Sequence, residues 1–240
     1  MSSSNPFAGL PSRPLLLGHR GARASPSVTE NTIAAFDLCL EHGCDGFEFD
    51  VRRTADGVPV VCHDATFGEL KLAEASAQDL EPRQARGFLP TLEQVLRRFG
   101  SLCFLDIEIK DLGLEAQVLE LLRRYPPVRN YVVTSFRPEA LLRLRELDPR
   151  VPLGFLLDQG SCGGGACSAG AEWWQVSVEW VLPERTLLDV ALAKDIRKAR
   201  RRVGTWTVNE PAEMLRLASL GAEILISDDT TRLVNTFPVI

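Results

Sequence analysis

Short apolar runs alternate along the chain with segments whose apolar residues recur at helical spacing. The runs are rich in β-branched residues, and no break in composition or linker interrupts the alternation. This pattern is typical of repeated βα units and a parallel sheet. The runs predicted to be strands are 15–18, 46–52, 103–109, 131–135, 153–157, 175–178, 204–208 and 223–227. Eight such strands favour an α/β fold of the (β/α)8 TIM barrel type, with an open doubly wound sheet as the alternative.

Two of the predicted helices have ends that can be identified in the sequence. Thr91 and Gln94 form a capping-box pattern ahead of apolar residues at helical spacing, which predicts a helix over 91–99. Asn209 followed by Pro211 predicts the start of the last helix, and Gly221 predicts its end. Both helices lie between predicted strands, as a barrel of βα units requires.

A ninth strand-like run, over 58–62, departs from the alternation. An Asp-Gly pair at 56–57 separates it from the second strand, and this dipeptide favours a two-residue hairpin turn. The run is therefore predicted to fold back antiparallel onto the second strand. Counting back from such a turn pairs Asp50 with His63, so that their side chains would point to the same face.

Length and composition indicate one large globular domain spanning residues 1–240, because 45% of the residues are hydrophobic and 25% are charged. The net charge of -5 and the lack of a Lys/Arg block give no basis for nucleic-acid binding, so a small-molecule partner is expected. The Ser/Pro-rich residues 1–13 are expected to be flexible and do not have the pattern of a secretion signal. No segment is apolar enough to span a bilayer, so we expect a cytoplasmic protein without stable membrane insertion.

Six cysteines are present, and they fall into two groups. Four lie in or beside apolar segments and are expected to pack as small buried hydrophobes: Cys39, Cys44, Cys62 and Cys103. Cys162 and Cys167 flank a Gly-rich tetrapeptide at a spacing that matches no known zinc pattern. A disulfide and a metal loop stay open for this pair, and a flexible loop with two thiols is the favoured interpretation.

Two of the three histidines, His19 and His63, come directly after apolar strand-like runs. In a (β/α)8 barrel such positions lie at the C-terminal face, where catalytic groups are found. A single histidine at a strand end is more often a hydrogen-bonded structural residue, but two of three at such ends favour function. His42 comes at the end of a helical segment, where a donor or cation suits the helix dipole, and is expected to be structural.

Carboxylates alternate with apolar residues in two neighbouring predicted strands. Glu48 and Asp50 project to one side of the second strand, and Asp106 and Glu108 repeat the pattern in the third, with Lys110 two residues further on. Acids placed side by side in strands that otherwise resemble core are costly unless a cation compensates them. Hard oxygen ligands without an added Cys or His suit Mg²⁺, Ca²⁺ or Mn²⁺ better than zinc.

The expected cluster of carboxylates, two imidazoles, Arg20 and Lys110 at one barrel mouth suits phosphodiester cleavage. A divalent cation, Arg and Lys together neutralise the non-bridging oxygens of a phosphodiester as a nucleophile adds. The leaving alkoxide needs a proton, and two imidazoles can take and give one.

Seven motifs make the chain resemble the glycerophosphodiester phosphodiesterase family over residues 17–233. They are HRG, ENT with AF, GCDGFEFDVRRTADGVPVVCHD, IEIK, TSF, TWTVN and GAEILISD. The resemblance implies a barrel of the phospholipase C-like type that uses one divalent cation. It also implies hydrolysis of glycerophosphodiesters such as glycerophosphocholine or glycerophosphoethanolamine to glycerol 3-phosphate and an alcohol.

The same resemblance implies roles for eight residues. Two imidazoles act as general acid and base, three carboxylates hold the metal, two cations contact the phosphate, and one indole forms an apolar wall beside the glycerol. In that order these are His19 and His63; Glu48, Asp50 and Glu108; Arg20 and Lys110; and Trp206. For Trp206 a core aromatic is an equally good interpretation of the sequence alone.

Two departures from the family pattern bear on the substrate. Thr29 stands before Glu30 where the family has proline, and the cap insertion over 65–89 is short, which could admit a bulkier alcohol group. The alternative functions are a phospholipase C- or D-like lyase acting on lysophospholipids or phosphoinositides, and an inactive barrel that binds a phosphorylated ligand. The head group, the metal, the nucleophile, the division of acid and base between the histidines, and the oligomeric state stay open.

Overall fold

Parallel strands close on themselves into a barrel in the computed structural model, which describes residues 13–84, 88–160 and 176–238. In chain order the strands are β1 (Leu15–His19), β2 (Gly46–Arg53), β3 (Pro59–Val61), β4 (Thr66–Phe67), β5 (Leu70–Lys71), β6 (Phe104–Ile109), β7 (Tyr131–Ser135), β8 (Leu153–Leu157), β9 (Trp180–Pro183), β10 (Arg202–Thr205) and β11 (Ile224–Ser227). The barrel order is β1, β2, β6, β7, β8, β9, β10 and β11, and β11 pairs with β1. The predicted TIM barrel is confirmed.

Helices connect the strands and cover the outside of the barrel. They are α1 (Ile33–Glu41), α2 (Ala77–Gln84), α3 (Leu92–Phe99), α4 (Glu115–Arg124), α5 (Pro138–Leu147), α6 (Val190–Lys198), α7 (Pro211–Ser219) and α8 (Thr230–Thr236). Thr91 and Gln94 form the predicted capping box at the start of α3. Among the described residues, no helix combines the length and the apolar character that crossing a bilayer needs.

Apolar side chains form separate layers on the two faces of the barrel sheet. The inner layer includes Leu15 and Leu17 of β1, and Ile224 and Ile226 of β11. Because strand residues alternate between faces, His19 continues the inward series of β1 and reaches the barrel mouth. The same alternation that fills the barrel with leucine and isoleucine therefore delivers polar groups to its rim.

Four phenylalanines fix β2 against two helices. The Phe47 ring stacks on Phe36 of α1 with 4.1 Å between centroids, and it meets Phe99 of α3 edge to face at 5.1 Å. Phe49 packs in the same cluster, and all four rings are buried. Since Phe47 and Phe49 face the helices, the residues between and after them face the barrel interior. This packing sets the direction of the two β2 carboxylates.

Strand β3 pairs antiparallel with β2, as predicted, but the register differs by one residue. The hydrogen bond from Thr54 N–H to Val58 O spans 3.2 Å and closes a three-residue loop in which Gly57 has a φ of +82°. A turn followed by a left-handed glycine is the usual three-residue hairpin, one residue longer than the predicted turn. The predicted pairing of Asp50 with His63 is therefore wrong, and the amide of Cys62 donates to Asp50 O at 3.0 Å instead.

Three other predictions are also wrong in position, one of them the strand predicted over 204–208, which is observed at Arg202–Thr205. The run predicted over 175–178 precedes the observed strand Trp180–Pro183, in which all four residues are buried. Apolar residues recur from 176 to 182, interrupted by Ser177 and Glu179, so their pattern did not indicate where pairing with β8 and β10 would begin. Glu210, not Asn209, is the N-cap of the helix that Pro211 begins, and α8 follows it as a further helix.

Residues between β3 and α3 form a small layer of their own over the β2–β3 hairpin. The β4–β5 hairpin, a 3-10 helix over Leu72–Glu74 and α2 lie in this stretch. Leu72, Leu80 and Leu89 pack there with Val60 of β3. The four cysteines predicted to be buried are buried free thiols. Cys162 and Cys167, and all but the last of the N-terminal residues 1–13, lie outside the described residues.

Candidate active site

A cavity of about 260 Å³ opens at the C-terminal ends of the barrel strands. Seven of the eight predicted site residues line it: His19, Arg20, Glu48, His63, Glu108, Lys110 and Trp206. The eighth, Asp50, contacts Lys110 and Arg20 and is 1% exposed. Residues in or just after β1, β2 and β6, just after β10, and beyond the end of β3 thus converge at one end of the barrel, where such folds carry their chemistry.

Three buried carboxylates form the acidic centre of the cavity. Glu48, Asp50 and Glu108 each offer one oxygen, and these oxygens lie within 4.8 Å of one another. They meet because Asp50 of β2 is in register with Glu108 of β6, while Glu48 lies one inward position before Asp50. Three carboxylate oxygens at this spacing, buried among protein atoms, suit a divalent cation with hard-ligand preference.

Burial makes the negative charge of this centre costly. Burial, with Asp50 and Glu108 close by, raises the pKa of Glu48 well above its usual range, and burial raises the pKa of Glu108 to about 8. Burial acts on Asp50 in the same direction, but Lys110, Arg20 and an amide of Asn31 outweigh it, so the pKa of Asp50 is lowered. Among the described residues, Glu48 Oε1 has no hydrogen-bond partner. The positive charges of Lys110 and Arg20 therefore do not fully compensate the three carboxylates, and a further cation would stabilise their ionised forms.

Two cationic side chains border the carboxylates. Lys110 Nζ lies 2.6 Å from Glu108 Oε1 and 3.0 Å from Asp50 Oδ1. Arg20 Nε lies 3.3 Å from Asp50 Oδ2, and its main-chain amide donates to Glu48 Oε2 at 3.0 Å. Both cations are mostly buried and line the cavity, so an anionic group entering it meets them at once.

His19 is held firmly at the rim. Its Nδ1 lies 2.6 Å from Asp228 Oδ1, and its Nε2 lies 3.9 Å from Glu48 Oε2. Burial lowers the pKa of His19, and this effect exceeds the opposing hydrogen bond to Asp228. A neutral imidazole at neutral pH has one nitrogen free to accept a proton.

His63 reaches the cavity from the end of the β2–β3 hairpin. Its Nδ1 lies 2.8 Å from Asp64 Oδ1, and its carbonyl accepts a hydrogen bond from Arg52 Nε at 2.7 Å. The side chain is 35% exposed, against 13% for His19. The hairpin brings His63 to the site although the predicted register was wrong, because Arg52 fixes the backbone beyond the last ladder pair.

Trp206 and Phe136 form an apolar wall of the cavity. Their rings meet edge to face with 5.4 Å between centroids, and the indole N–H donates to Leu182 O at 2.9 Å. Both rings also pack against the inner layer of the barrel. Trp206 therefore fits both interpretations of the sequence, since it is a core aromatic on one side and a cavity wall on the other.

Several residues that support the site were missed or given another role from sequence. Asp228 was noted only as the end of a motif, and Asn209 was interpreted as the start of a helix, yet its amide donates to Asp228 Oδ2 at 2.8 Å. Asn31 donates to Asp50 Oδ2 at 2.8 Å. A polar residue just beyond a strand end was the available signal for Asp228. His42 bonds Thr230 Oγ1 at 2.7 Å, away from the cavity.

Comparison with known proteins gives consistent matches over most of the chain. The sequence profile of the Glycerophosphoryl diester phosphodiesterase family matches residues 19–232. A glycerophosphodiester phosphodiesterase of Caldanaerobacter subterraneus is 28% identical over an alignment covering 92% of this chain and 96% of that protein. A glycerophosphodiester phosphodiesterase of Bacillus subtilis is 26% identical, with 88% and 82% covered.

Solved structures share the barrel. The glycerophosphodiester phosphodiesterase of Thermotoga maritima has a TM-score of 0.76 at 26% identity, covering 92% of this chain and 97% of that chain. A phosphodiesterase of Oleispira antarctica, solved with its product sn-glycerol-3-phosphate, has a TM-score of 0.78 at 24% identity, covering 93% and 96%. The profile match begins at His19 and includes all eight predicted site residues. The chain therefore belongs to the glycerophosphoryl diester phosphodiesterase family and is an enzyme that hydrolyses phosphoric diesters.

Proposed function

We propose that this enzyme cleaves glycerophosphodiesters to glycerol 3-phosphate and an alcohol, with one divalent cation, Mg²⁺ or Ca²⁺ and also Mn²⁺, held by Glu48, Asp50 and Glu108. The buried carboxylate trio carries the proposal. Its oxygens lie within 4.8 Å of one another, and Glu48 Oε1 is left without a partner among the described residues. A buried carboxylate oxygen without a partner costs about 1 to 3 kcal/mol, and a cation bound to Glu48 would remove that cost.

The charge of the site supports the same conclusion. In the ionised form that holds a metal, the three carboxylates exceed Arg20 and Lys110 by one negative charge, which by itself would repel an anionic substrate. One divalent cation converts this to one positive charge, which matches the single negative charge of a phosphodiester. When bound, the cation neutralises the non-bridging oxygens and stabilises the charge that develops on them.

The protein side chains then have distinct tasks. Arg20 and Lys110 contact the phosphate, since both border the carboxylates and line the cavity. Trp206 and Phe136 offer an apolar face to the carbon atoms of the glycerol. Together these contacts hold the scissile bond over the acidic centre, and correct positioning contributes much of the rate gain in such reactions.

Proton transfer falls to His19 and His63. One imidazole takes the proton of the nucleophile and the other gives a proton to the leaving oxygen, and both line the cavity. The nucleophile is water or the 2-hydroxyl of the substrate's own glycerol, and the second route passes through a cyclic phosphate. Trapping a cyclic product in a single turnover distinguishes the two routes.

Space at the cavity mouth bears on the alcohol that is released. None of the described residues in the 65–89 cap lines the cavity, because this segment packs over the β2–β3 hairpin. A bulky alcohol group can therefore extend past the hairpin into solvent. The Oleispira antarctica phosphodiesterase binds sn-glycerol-3-phosphate as its product, and we propose the same product here, with head-group preference set weakly by the protein.

The test is release of glycerol 3-phosphate from a panel of glycerophosphodiesters with Mg²⁺, Ca²⁺, Mn²⁺ or a chelator. Wild type is compared with His19→Ala and His63→Ala, and His42→Ala is the matched control because His42 bonds Thr230 away from the cavity. We expect metal-dependent release that the first two substitutions abolish and the third leaves intact. Cyclic lysophosphatidate or diacylglycerol from lipid substrates would favour the lyase, and ligand binding without turnover would favour the inactive barrel.

A further inference from the structure

Asp228, just after β11, contacts three polar side chains from two parts of the chain, the end of β1 and the loop after β10. Its Oδ1 lies 2.6 Å from His19 Nδ1 and accepts from Arg23 at 3.0 Å, and its Oδ2 accepts from Asn209 Nδ2 at 2.8 Å. Burial raises the pKa of Asp228, but the hydrogen bonds from His19 and Asn209 outweigh burial, so the pKa lies well below its usual range. Asp228 is thus an ionised carboxylate that can only accept.

Asn209 cannot rotate its amide by half a turn. Its Oδ1 accepts from the main-chain N–H of Asp228 at 2.9 Å and from Ser227 Oγ at 3.0 Å. A main-chain N–H can only donate, so the oxygen of Asn209 must face it and the NH₂ must face Asp228 Oδ2. The orientation of Asn209 therefore fixes the orientation of the Asp228 carboxylate.

An acceptor-only carboxylate decides which ring nitrogen of His19 carries the hydrogen when the ring has only one. Because Asp228 Oδ1 can only accept, His19 Nδ1 must donate, and Nε2 is then the nitrogen with the free lone pair. That Nε2 is the atom on the side of Glu48 and the cavity. His63 differs, since its partner Asp64 is the next residue in the chain and is largely exposed.

We propose that Asp228 is a positioning residue of the reaction, which holds His19 with hydrogen on Nδ1 and the Nε2 lone pair toward the substrate, and that Asn209 holds Asp228 in turn. The inference rests on the proposed role of His19 in proton transfer. The loops after β10 and β11 would then contribute to catalysis by orienting His19, without contacting the substrate.

The substitution Asp228→Asn should move the hydrogen of His19 from Nδ1 to Nε2, and the hydrogen bonds around residue 228 explain why. The new NH₂ must face either Asn209 Nδ2, which is a fixed donor, or His19 Nδ1 and Arg23. Arg23 is 39% exposed and can swing away, so the NH₂ faces His19. His19 Nδ1 must then accept, which moves the hydrogen to Nε2 and leaves no lone pair for the substrate.

A paired exchange restores the arrangement. In Asp228→Asn with Asn209→Asp, residue 209 becomes the acceptor for the NH₂ of residue 228 while still accepting from the main-chain N–H. The amide oxygen of residue 228 then returns to His19 Nδ1, although without a negative charge. This double variant separates the placement of the hydrogen from the charge of the carboxylate.

The experiment reads the tautomer directly by long-range proton–nitrogen correlation on protein with ¹⁵N-labelled histidine in Mg²⁺ buffer at neutral pH. The chain has only three histidines, and a His19→Gln spectrum assigns the signals of interest. We expect hydrogen on Nδ1 of His19 in wild type and in the double variant, and on Nε2 in Asp228→Asn. His42, bonded to Thr230, serves as the internal reference.

Kinetics complete the test. Asp228→Asn should lower kcat by on the order of 100- to 10,000-fold with a much smaller change in KM, the range over which loss of a histidine-orienting partner acts. The double variant should recover most of that loss, and Asp229→Asn, a neighbouring helix cap that asparagine fills as well, should match wild type. Folded Asp228→Asn with hydrogen still on Nδ1, or with unchanged kcat, would overturn the proposal. Activity surviving in His19→Ala would instead overturn the catalytic role of His19.

Discussion

Asp106 allows a test of whether burial in the barrel interior raises the pKa of a carboxyl group. It lies on β6 one inward position below Glu108, is 0% exposed, and accepts a hydrogen bond from Thr134 Oγ1 at 2.7 Å. Among the described residues its Oδ2 has no partner. Burial raises the pKa of Asp106 from 3.8 to about 7. The perturbation is Asp106→Asn, which keeps the shape and the Thr134 hydrogen bond and removes the ionisation.

The sign and the size follow from proton linkage. Between pH 3.8 and about 7 the folded protein keeps a proton on Asp106 that the unfolded chain has lost, so the contribution of Asp106 to wild-type stability falls as the pH rises through this window. The fall is about 1.4 kcal/mol per pH unit, or about 4 kcal/mol over the whole window, and it stops above pH 7. The unpaired amide that Asp106→Asn introduces costs about 1 to 3 kcal/mol, but equally at every pH.

The assay is urea unfolding of wild type and Asp106→Asn in chelator, from pH 4 to pH 8.5. The stability of the variant minus that of wild type should rise by about 4 kcal/mol between pH 4 and pH 7 and then level off. Equal m-values in the two proteins are needed for this comparison. A difference that does not change with pH would show that Asp106 is ionised in the folded state and that the burial argument is wrong.

Three further predictions test other parts of the structure. Phe47→Ala should lower the free energy of unfolding by about 3 to 5 kcal/mol, because a fully buried ring stacked on Phe36 is lost, and Phe47→Leu should cost less; urea unfolding measures both. Thr91→Ala should cost about 1 kcal/mol by removing a capping box that Thr91→Ser keeps, and an equal loss in both variants would contradict this. Asn31→Gly tolerates the φ of +57° and removes the bond to Asp50, so calorimetry should show about 10- to 100-fold weaker cation binding with little change in folding.

The barrel and its acidic centre could be predicted because both follow from a two-residue period within single strands. Glu48 and Asp50 share a face by alternation alone, and Glu108 joins them because β2 and β6 are neighbours in the sheet. What failed was register. Nothing in the sequence distinguished a two-residue turn from a three-residue turn at Gly57, and the one-residue difference moved the partner of Asp50 from His63 to Cys62.

The prediction that Asn209 caps a helix failed for a different reason: tertiary contacts outweigh its local preference. Asparagine next to a helix start is a favoured cap, and Pro211 does begin α7. The side chain of Asn209 instead satisfies Asp228 and Ser227, which come from the following strand and its end. Capping the helix would contribute about 1 kcal/mol, and the three hydrogen bonds that the Asn209 amide makes with Asp228 and Ser227 together outweigh it.

These outcomes share a physical cause. Groups expected to touch the substrate stand at inward positions of strands or at strand ends, so the same alternation that places Leu15 and Leu17 in the core places His19 at the rim. Groups that orient them stand on loops, where no periodicity relates residue 209 to residue 228 or either to residue 19. Sequence alone therefore finds the candidate catalytic groups of a barrel more readily than the residues that orient them, and it is the orienting residues that fix the hydrogen on which acid and base chemistry depends.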